Sequence, residues 1–280
     1  MTREALQWLA IELESAITQI VPVSGGSIND CFQLTTNDRL RVFLKANKTN
    51  SLFLSEATGL REINSLVTAF AVEPLAVSCH FLLLPWYETV RATETQWRQF
   101  AHNLFVMHSQ KQAYFGFHSD NYCGTTRQLN SRSHNGFEFF AEQRLMYQGR
   151  LAQQSGLLKV SDLTKLEQLA NRLVDLLPDE PPVLLHGDLW SGNVLHTEQR
   201  SLLIDPACYY GWAEADLAMT KMFGGFPSCF YQEYANLSGK PESDWQTRVH
   251  IYNLYHWLNH LNLFGLQYRG TVEQIIRRFC

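Results

Sequence analysis

Apolar residues Leu6, Leu9, Leu13, Ile17 and Ile20 recur at helical spacing and predict a first helix that Pro22 ends. The pattern then changes period. VSGGSINDCFQL sets two adjacent glycines before a strand-like run, TNDR (36–39) reads as a turn, and RVFLKA (41–46) alternates as a second strand. These segments predict a hairpin with a glycine-bearing front end. SEATGLREINSLV (55–67) predicts a helix with Ser55 placed to cap it, and HFLLLPWY (80–87) a compact apolar strand broken by Pro85. Helix, hairpin, helix and further strand outline a small α+β lobe.

Beyond residue 88 the helical period dominates. Segments 93–109 and 137–155 are predicted helices, and between them lies a polar loop, FGFHSDNYCGTTRQLNSRSHNG. So long an irregular stretch commonly lines a site. Leu163, Leu166, Leu169, Leu173 and Leu176 place one helix over 161–177, stopped by PDEPP. Two short apolar runs, 183–185 and 201–205, predict strands, and the tail predicts helices over 214–223, 228–237, 245–263 and 271–279. The expected organisation is a nucleotide-clamping lobe over 1–87, a hinge near 86–92, and a larger, mainly helical catalytic and substrate lobe over 88–280.

Composition narrows the partners. A chain of 280 residues that is 45% hydrophobic can fill one or two cores. The 23 basic and 27 acidic residues leave a formal charge of -4, which gives no reason to expect a nucleic-acid partner. Six cysteines, at 31, 79, 123, 208, 229 and 280, form no CxxC pair. That usage fits buried thiols in a reducing compartment and disfavours zinc knuckles. Arg3, Glu4, Glu12 and Glu14 interrupt any signal-like apolar core, and no run approaches membrane-spanning length. A cytoplasmic protein without a membrane partner is expected.

The chemistry concentrates in HGDLWSGN (186–193) and LLIDP (202–206). A hairpin joining two strands would bring Asp188, Asn193 and Asp205 together. That set suits phosphoryl transfer, which needs an oriented acceptor hydroxyl and a magnesium-neutralised phosphate. Asp188 would orient the hydroxyl and take its proton as the bond forms, while Asn193 and Asp205 would offer hard oxygens to Mg2+. Turn-forming and loop-capping roles are the alternative for each residue alone. His186 has no companion at metal-ligand spacing and is expected to tie the loop by ring hydrogen bonds. Asp216, or in part Glu214, could brace the same loop by accepting backbone N–H groups.

The nucleotide requires a cation. Lys45 in FLKA is the candidate, with Glu56 in the next helix positioned to pair with it. In SGGSIND, Gly25, Gly26 and Ser27 could turn backbone N–H groups toward phosphate, or simply close a hairpin. Trp86 and Tyr87 could flank adenine or belong to the core.

FLKA, FLSEATGL, HGDLWSGN, LLIDPACYYGWAEADLAM, FGGFP and LYHWLNHLNLFG together resemble the fructosamine (ketosamine) kinase family, within the protein-kinase-like and aminoglycoside-phosphotransferase-like superfamily. The resemblance covers nearly the whole chain. It implies an α+β, bilobal protein-kinase-like fold, ATP with Mg2+, and phosphorylation of a ketosamine, usually at the sugar 3-hydroxyl, in deglycation repair. The acceptor would be a small molecule or a glycated protein lysine, and the oligomeric state stays open. By match, Asp188 is the catalytic base, Asn193 and Asp205 hold metal, and Lys45 with Glu56 serves phosphate. Trp190 matches a residue near the acceptor sugar, and Gln128 and Asn130 lie in a loop that contacts or shapes the acceptor region. That loop departs from the family pattern, because Leu129, Ser131 and Arg132 stand where a Pro and a nearby Trp are common.

Other classes remain as alternatives: a kinase for an aminoglycoside, choline or another sugar, or a nucleotide-binding scaffold without turnover. A zinc hydrolase fits poorly, because Trp257 replaces the Glu of HExxH between His256 and His260, which are expected to pack in a helix. A protein kinase fits poorly too, because Pro206 follows Asp205 where DFG would continue.

Overall fold

The computed structural model of the chain describes residues 1–23, 29–48 and 52–279. It divides into two compact units, Met1–Arg91 with Leu195–Asp205, and Ala92–Val194 with Pro206–Cys280. The late segment 195–205 is thus part of the first unit, which a single cut between residues 87 and 88 does not capture.

The first unit opens with α1 (Arg3–Glu12), whose N-terminus is capped by Thr2 accepting from Ala5 N at 3.2 Å. Ala5 and Leu9 are its buried face. The helix expected to reach Ile20 stops at Leu13, and Glu14 turns left-handed at φ 49°. Ile17–Pro22 forms β1 instead. Its β-branched residues Ile17, Thr18, Ile20 and Val21 are stiff at χ1 and fit a pleated surface, so pairing outweighs the helical spacing. β1 pairs antiparallel with β2 (Asp30–Thr36), which pairs with β3 (Arg41–Ala46) in a register that sets Cys31 opposite Lys45.

Helix α2 spans Leu52–Leu66 and starts before the expected position. Ser55 therefore lies inside it and donates to Leu52 O at 2.8 Å instead of capping. β4 (Ala76–Val77) and β5 (Phe81–Pro85) complete an antiparallel sheet of order β1-β2-β3-β5-β4. Leu34, Val42, Leu44, Phe81 and Leu83 pack on Ala5 and Leu9 in one core. Each large side chain buried there contributes about 1.5–3 kcal/mol.

The second unit is mainly helical. α3 (Glu94–His108) begins with a capping box between Thr93 and Gln96. It packs on a later helix through Phe100 and Phe230, whose rings lie 6.0 Å apart. The polar loop carries the short hairpin β6 (Asn121–Cys123) and β7 (Thr126–Gln128). α4 (Gly136–Phe140) runs through one π-helical stretch, Ala141–Met146, into α5 (Tyr147–Gln154). The single helix expected over 161–177 is two, α6 (Val160–Ala170) and α7 (Leu173–Leu176), separated where Arg172 takes φ -104° and ψ 4°.

Strand β8 (Val183–Leu185) does not pair with the 201–205 run as expected. The order is two separate pairs: β8 with β11 (Tyr209–Gly211), and β9 (Val194–His196) with β10 (Ser201–Leu203). β10 is fixed within the first unit by Leu203 N donating to Phe70 O at 2.9 Å and Val72 N donating to Leu203 O at 3.0 Å. Helices α8 (Ala213–Met219), α9 (Ser228–Ser238), α10 (Val249–Phe264) and α11 (Arg269–Phe279) finish the chain. α10 is buried over most of its circumference, including Tyr255, His256 and Asn259. Among the described residues no helix is long and apolar enough to cross a membrane.

Candidate active site

In the first unit, Lys45 is buried although β3 alternates, because Leu44 faces the core and Lys45 faces α2 and the 195–205 segment. Its Nζ donates to Glu56 Oε1 at 2.7 Å and also to Asp205 Oδ1. Burial pulls the ammonium down, but the Asp205 and Glu56 carboxylates outweigh it and hold the group above its ordinary range. Burial pushes Glu56 up, with the Lys45 charge opposing. Lys45 is therefore a fixed cation. Asp205 takes a left-handed φ of 54°, a strained backbone for a residue other than glycine. Gly25, Gly26 and Ser27 lie outside the described residues. Trp86 Nε1 donates to Glu88 at 3.2 Å and its ring tilts on Phe43, while Tyr87 is half-buried beside it in sequence.

In the second unit, the loop after β8 is held by a single carboxylate. Asp216, near the start of α8, accepts from His186 N at 2.7 Å and Gly187 N at 2.9 Å. His108 Nε2 lies 3.3 Å from the same carboxylate, and Tyr234 holds the other ring nitrogen at 2.8 Å. Burial alone would raise Asp216. The His108 hydrogen bond and charge, joined by His186 and Gly187, overturn that and hold it below the usual carboxylate range. Gly187 takes φ 80°, and a Cβ there would stand 2.0 Å from Ala207 O, so only glycine fits. His186 Nδ1 accepts from Asp188 N at 3.2 Å. Glu214 is not part of this brace, because it forms a two-point pair with Arg248 at 2.7 and 2.6 Å.

Asp188 is half-buried, and Asn193 Nδ2 donates to its Oδ2 at 3.0 Å and to its backbone oxygen at 2.8 Å. The Asn193 amide and the Asp205 carboxylate each carry a hard oxygen of the type that magnesium prefers. Trp190 is half-buried with Phe223 packed edge-on at 5.6 Å, and Phe223 in turn meets Trp257 at 5.8 Å.

Gln128 and Asn130, expected to contact or shape the acceptor region, spend their side-chain groups on hydrogen bonds within the fold. Both are buried. Gln128 donates to Asn121 Oδ1 at 2.8 Å and Ala207 O at 3.0 Å, and accepts from Tyr255 at 2.6 Å. Asn130 donates to Asn121 Oδ1 at 2.8 Å and Ser119 O at 3.1 Å, and accepts from Arg144 at 2.7 Å.

Arg144, Asn121, His108 and Tyr255 also support this region, and no motif in the sequence marks them. Arg144 is fully buried, donates to Leu129 O at 2.6 Å, and stacks its guanidinium 4.0 Å over Tyr209 and 4.6 Å over Phe139. As the one basic residue in FEFFAEQRLM, it carries no stronger signal in the sequence. Cys123, expected as a buried thiol, and His256, expected to pack in a helix, each bring one ligand-type atom within 4.8 Å of the other and of an Asp188 oxygen. Burial, then the Asp188 charge, pushes the Cys123 thiol up, and burial pulls the His256 imidazole down to about 3.

The model of the fructosamine kinase family matches residues 1–280. The chain belongs to the fructosamine kinase family. It is 37% identical over 269 residues to a protein of Synechocystis sp. named probable ketoamine kinase, covering 91% of this chain and 88% of that one. It is 32% identical over 284 residues to a chloroplastic protein-ribulosamine 3-kinase of Arabidopsis thaliana, covering 96% of this chain and 85% of that one. A solved structure from Thermobifida fusca, assigned as a fructosamine-3-kinase, superposes with a TM-score of 0.88 at 28% identity over 97% of this chain and 98% of its own. The fold is accordingly bilobal and protein-kinase-like, with a small antiparallel sheet and a larger helical part. Membership in this fructosamine kinase family carries ATP-dependent phosphoryl transfer to a ketosamine-type acceptor.

Proposed function

We propose that this chain transfers the γ-phosphoryl group of ATP to the 3-hydroxyl of a ketosamine sugar, free or carried on a protein lysine, and so serves deglycation. The observation that carries the reading is the half-buried Asp188 carboxylate, fixed by Asn193 in a loop that Asp216 braces.

Asp188 orients the acceptor hydroxyl and receives its proton as the new P–O bond forms. Positioning is its larger contribution, because a carboxylate is a weak base at neutral pH. Lys45 holds nucleotide phosphate, and Glu56 keeps the ammonium in place. Asn193 and Asp205 are the residues that would hold magnesium, which supplies charge neutralisation on the phosphates. Trp190 offers an aromatic face to the apolar side of the sugar. Gln128 and Asn130 act one step back, as the frame of the acceptor loop.

Fructosyl-, ribulosyl- and erythrulosyl-lysine, each incubated with ATP and magnesium, test this directly, with NMR of the product to locate the phosphate. Turnover with phosphate on O3, lost in Asp188→Asn while ATP binding persists, is the expected result. Turnover of an aminoglycoside or choline in place of every ketosamine, or an unimpaired Asp188→Asn, overturns it.

A further inference from the structure

Three side chains of different chemistry meet in the second unit. Cys123 ends β6, Asp188 follows β8, and His256 lies mid-way along α10. One sulfur, one carboxylate oxygen and one ring nitrogen from them all lie within 4.8 Å of one another. We propose that Cys123, Asp188 and His256 form a binding site for one borderline-soft divalent cation, with zinc as the representative, and that the ion silences the enzyme by occupying the Asp188 carboxylate. The silencing rests on the acceptor-orienting role proposed for Asp188; the binding of the ion does not.

The donor set selects the ion. Thiolate, imidazole and carboxylate are the ligand types of zinc, and three protein ligands leave the fourth, tetrahedral position open. Magnesium avoids sulfur and prefers oxygen, so this trio is chemically distinct from the amide and carboxylate oxygens of Asn193 and Asp205. Zinc bonds of about 2.0–2.3 Å place tetrahedral ligand atoms about 3.3–3.8 Å apart. Closing from the present spacing requires side-chain rotation on the order of 1 Å.

A second observation points the same way. His256 is 4% exposed, and its Nδ1 has no hydrogen-bond partner. A buried polar atom in that state is costly and calls for an explanation. The backbone of the trio is already fixed. Asn259 Nδ2 donates to Cys123 O at 3.1 Å, Asn121 in the same strand is tied to Gln128, Asn130 and Cys208, and the Asp188 loop hangs on Asp216. Such rigidity favours a defined coordination geometry. On binding, the Cys123 S–H bond breaks, the proton leaves to solvent, and sulfur bonds the metal. His256 contributes a lone pair and Asp188 an existing negative charge. Two anionic ligands then balance the ion, with no oxidant or reductant required.

Cobalt(II), added to the reduced, metal-free full chain, is the probe, because a cobalt–thiolate bond gives a charge-transfer band in the near ultraviolet. One equivalent is expected to develop the band, and zinc to displace it. Cys123→Ser should abolish the band and weaken zinc binding at least about tenfold. If that variant unfolds by circular dichroism, Cys123→Ala makes the same comparison without a buried hydroxyl. In the MgATP turnover assay, zinc should inhibit the wild type reversibly to a chelator, while the Cys123 variant keeps its turnover at the same zinc concentration. No band in the wild type, a band that survives in the Cys123 variant, or equal zinc inhibition of both chains overturns the proposal. A chain that develops the band yet phosphorylates no ketosamine supports the ion site and fails the proposed function, so the two failures are distinguishable.

Discussion

The Lys45 ammonium donates to the Glu56 carboxylate at 2.7 Å, and both residues are buried. Two charges removed from water hold each other in a narrow set of positions, with Asp205 as the second acceptor on the same nitrogen. Glu56→Gln keeps the shape but halves the compensation. It is expected to raise KM for ATP and lower kcat/KM about 10- to 100-fold, equivalent to about 1.4–2.7 kcal/mol. Steady-state kinetics with ATP varied at saturating acceptor checks this, and an unchanged KM for ATP contradicts it.

Asp216 ties His186 and Gly187 to α8, and its carboxyl is held below the ordinary range. Unfolded Asp binds its proton near pH 3.9. The stabilisation from Asp216 is therefore complete above that value and is lost as pH falls through the lower folded one. Asp216→Asn should cost about 1–3 kcal/mol at neutral pH. The gap from wild type should shrink below about pH 4, measured by urea unfolding across that range. A gap that stays constant or widens into acid contradicts the assignment.

Arg144 links the loop carbonyl of Leu129 and the Asn130 side chain to the faces of Tyr209 and Phe139. Lysine keeps the charge but has no planar fork to stack and donate at once. Arg144→Lys is expected to raise the acceptor KM about tenfold, leave KM for ATP alone, and lower stability by about 2–3 kcal/mol. Kinetics with each substrate varied in turn separates this from a general folding defect, which would move both constants.

Burial raises the Tyr209 phenol to about 12. The unfolded chain releases that proton near pH 10. Above pH 10 the folded state holds more protons than the unfolded one, so stability falls as pH rises. Tyr209→Phe keeps the ring beneath Arg144 and removes one titrating group. Its stability should fall less steeply between about pH 10 and 12, by up to about 1.4 kcal/mol per pH unit. Parallel slopes for the two chains in alkaline denaturation would contradict the burial of this phenol.

Much of this is legible in the sequence. Alternation placed Lys45 on a strand, and turn residues marked the loop that carries Asp188 and Asn193. The limits are equally physical. Ile17 and Ile20 satisfy a helical period and a strand propensity at once, and only the backbone partners offered by β2 decide between them. Ser55 has the chemistry of a cap, but the helix starts earlier and places it inside the first turn. Gln128 and Asn130 carry groups that suit a ligand, and only burial reveals that those groups serve Asn121, Arg144 and Tyr255. Arg144 owes its direction to a π-helical stretch that no residue pattern announced.

The 195–205 hairpin has a consequence for synthesis. Phe70 and Val72 find their backbone partner in Leu203, and Lys45 its second acid in Asp205. A ribosome delivers the N-terminal sheet long before these residues emerge. The nascent first unit therefore lacks the Leu203 partner of Phe70 and Val72 and one of the two acids on Lys45, and it is completed only after the translation of Asp188 and Asn193.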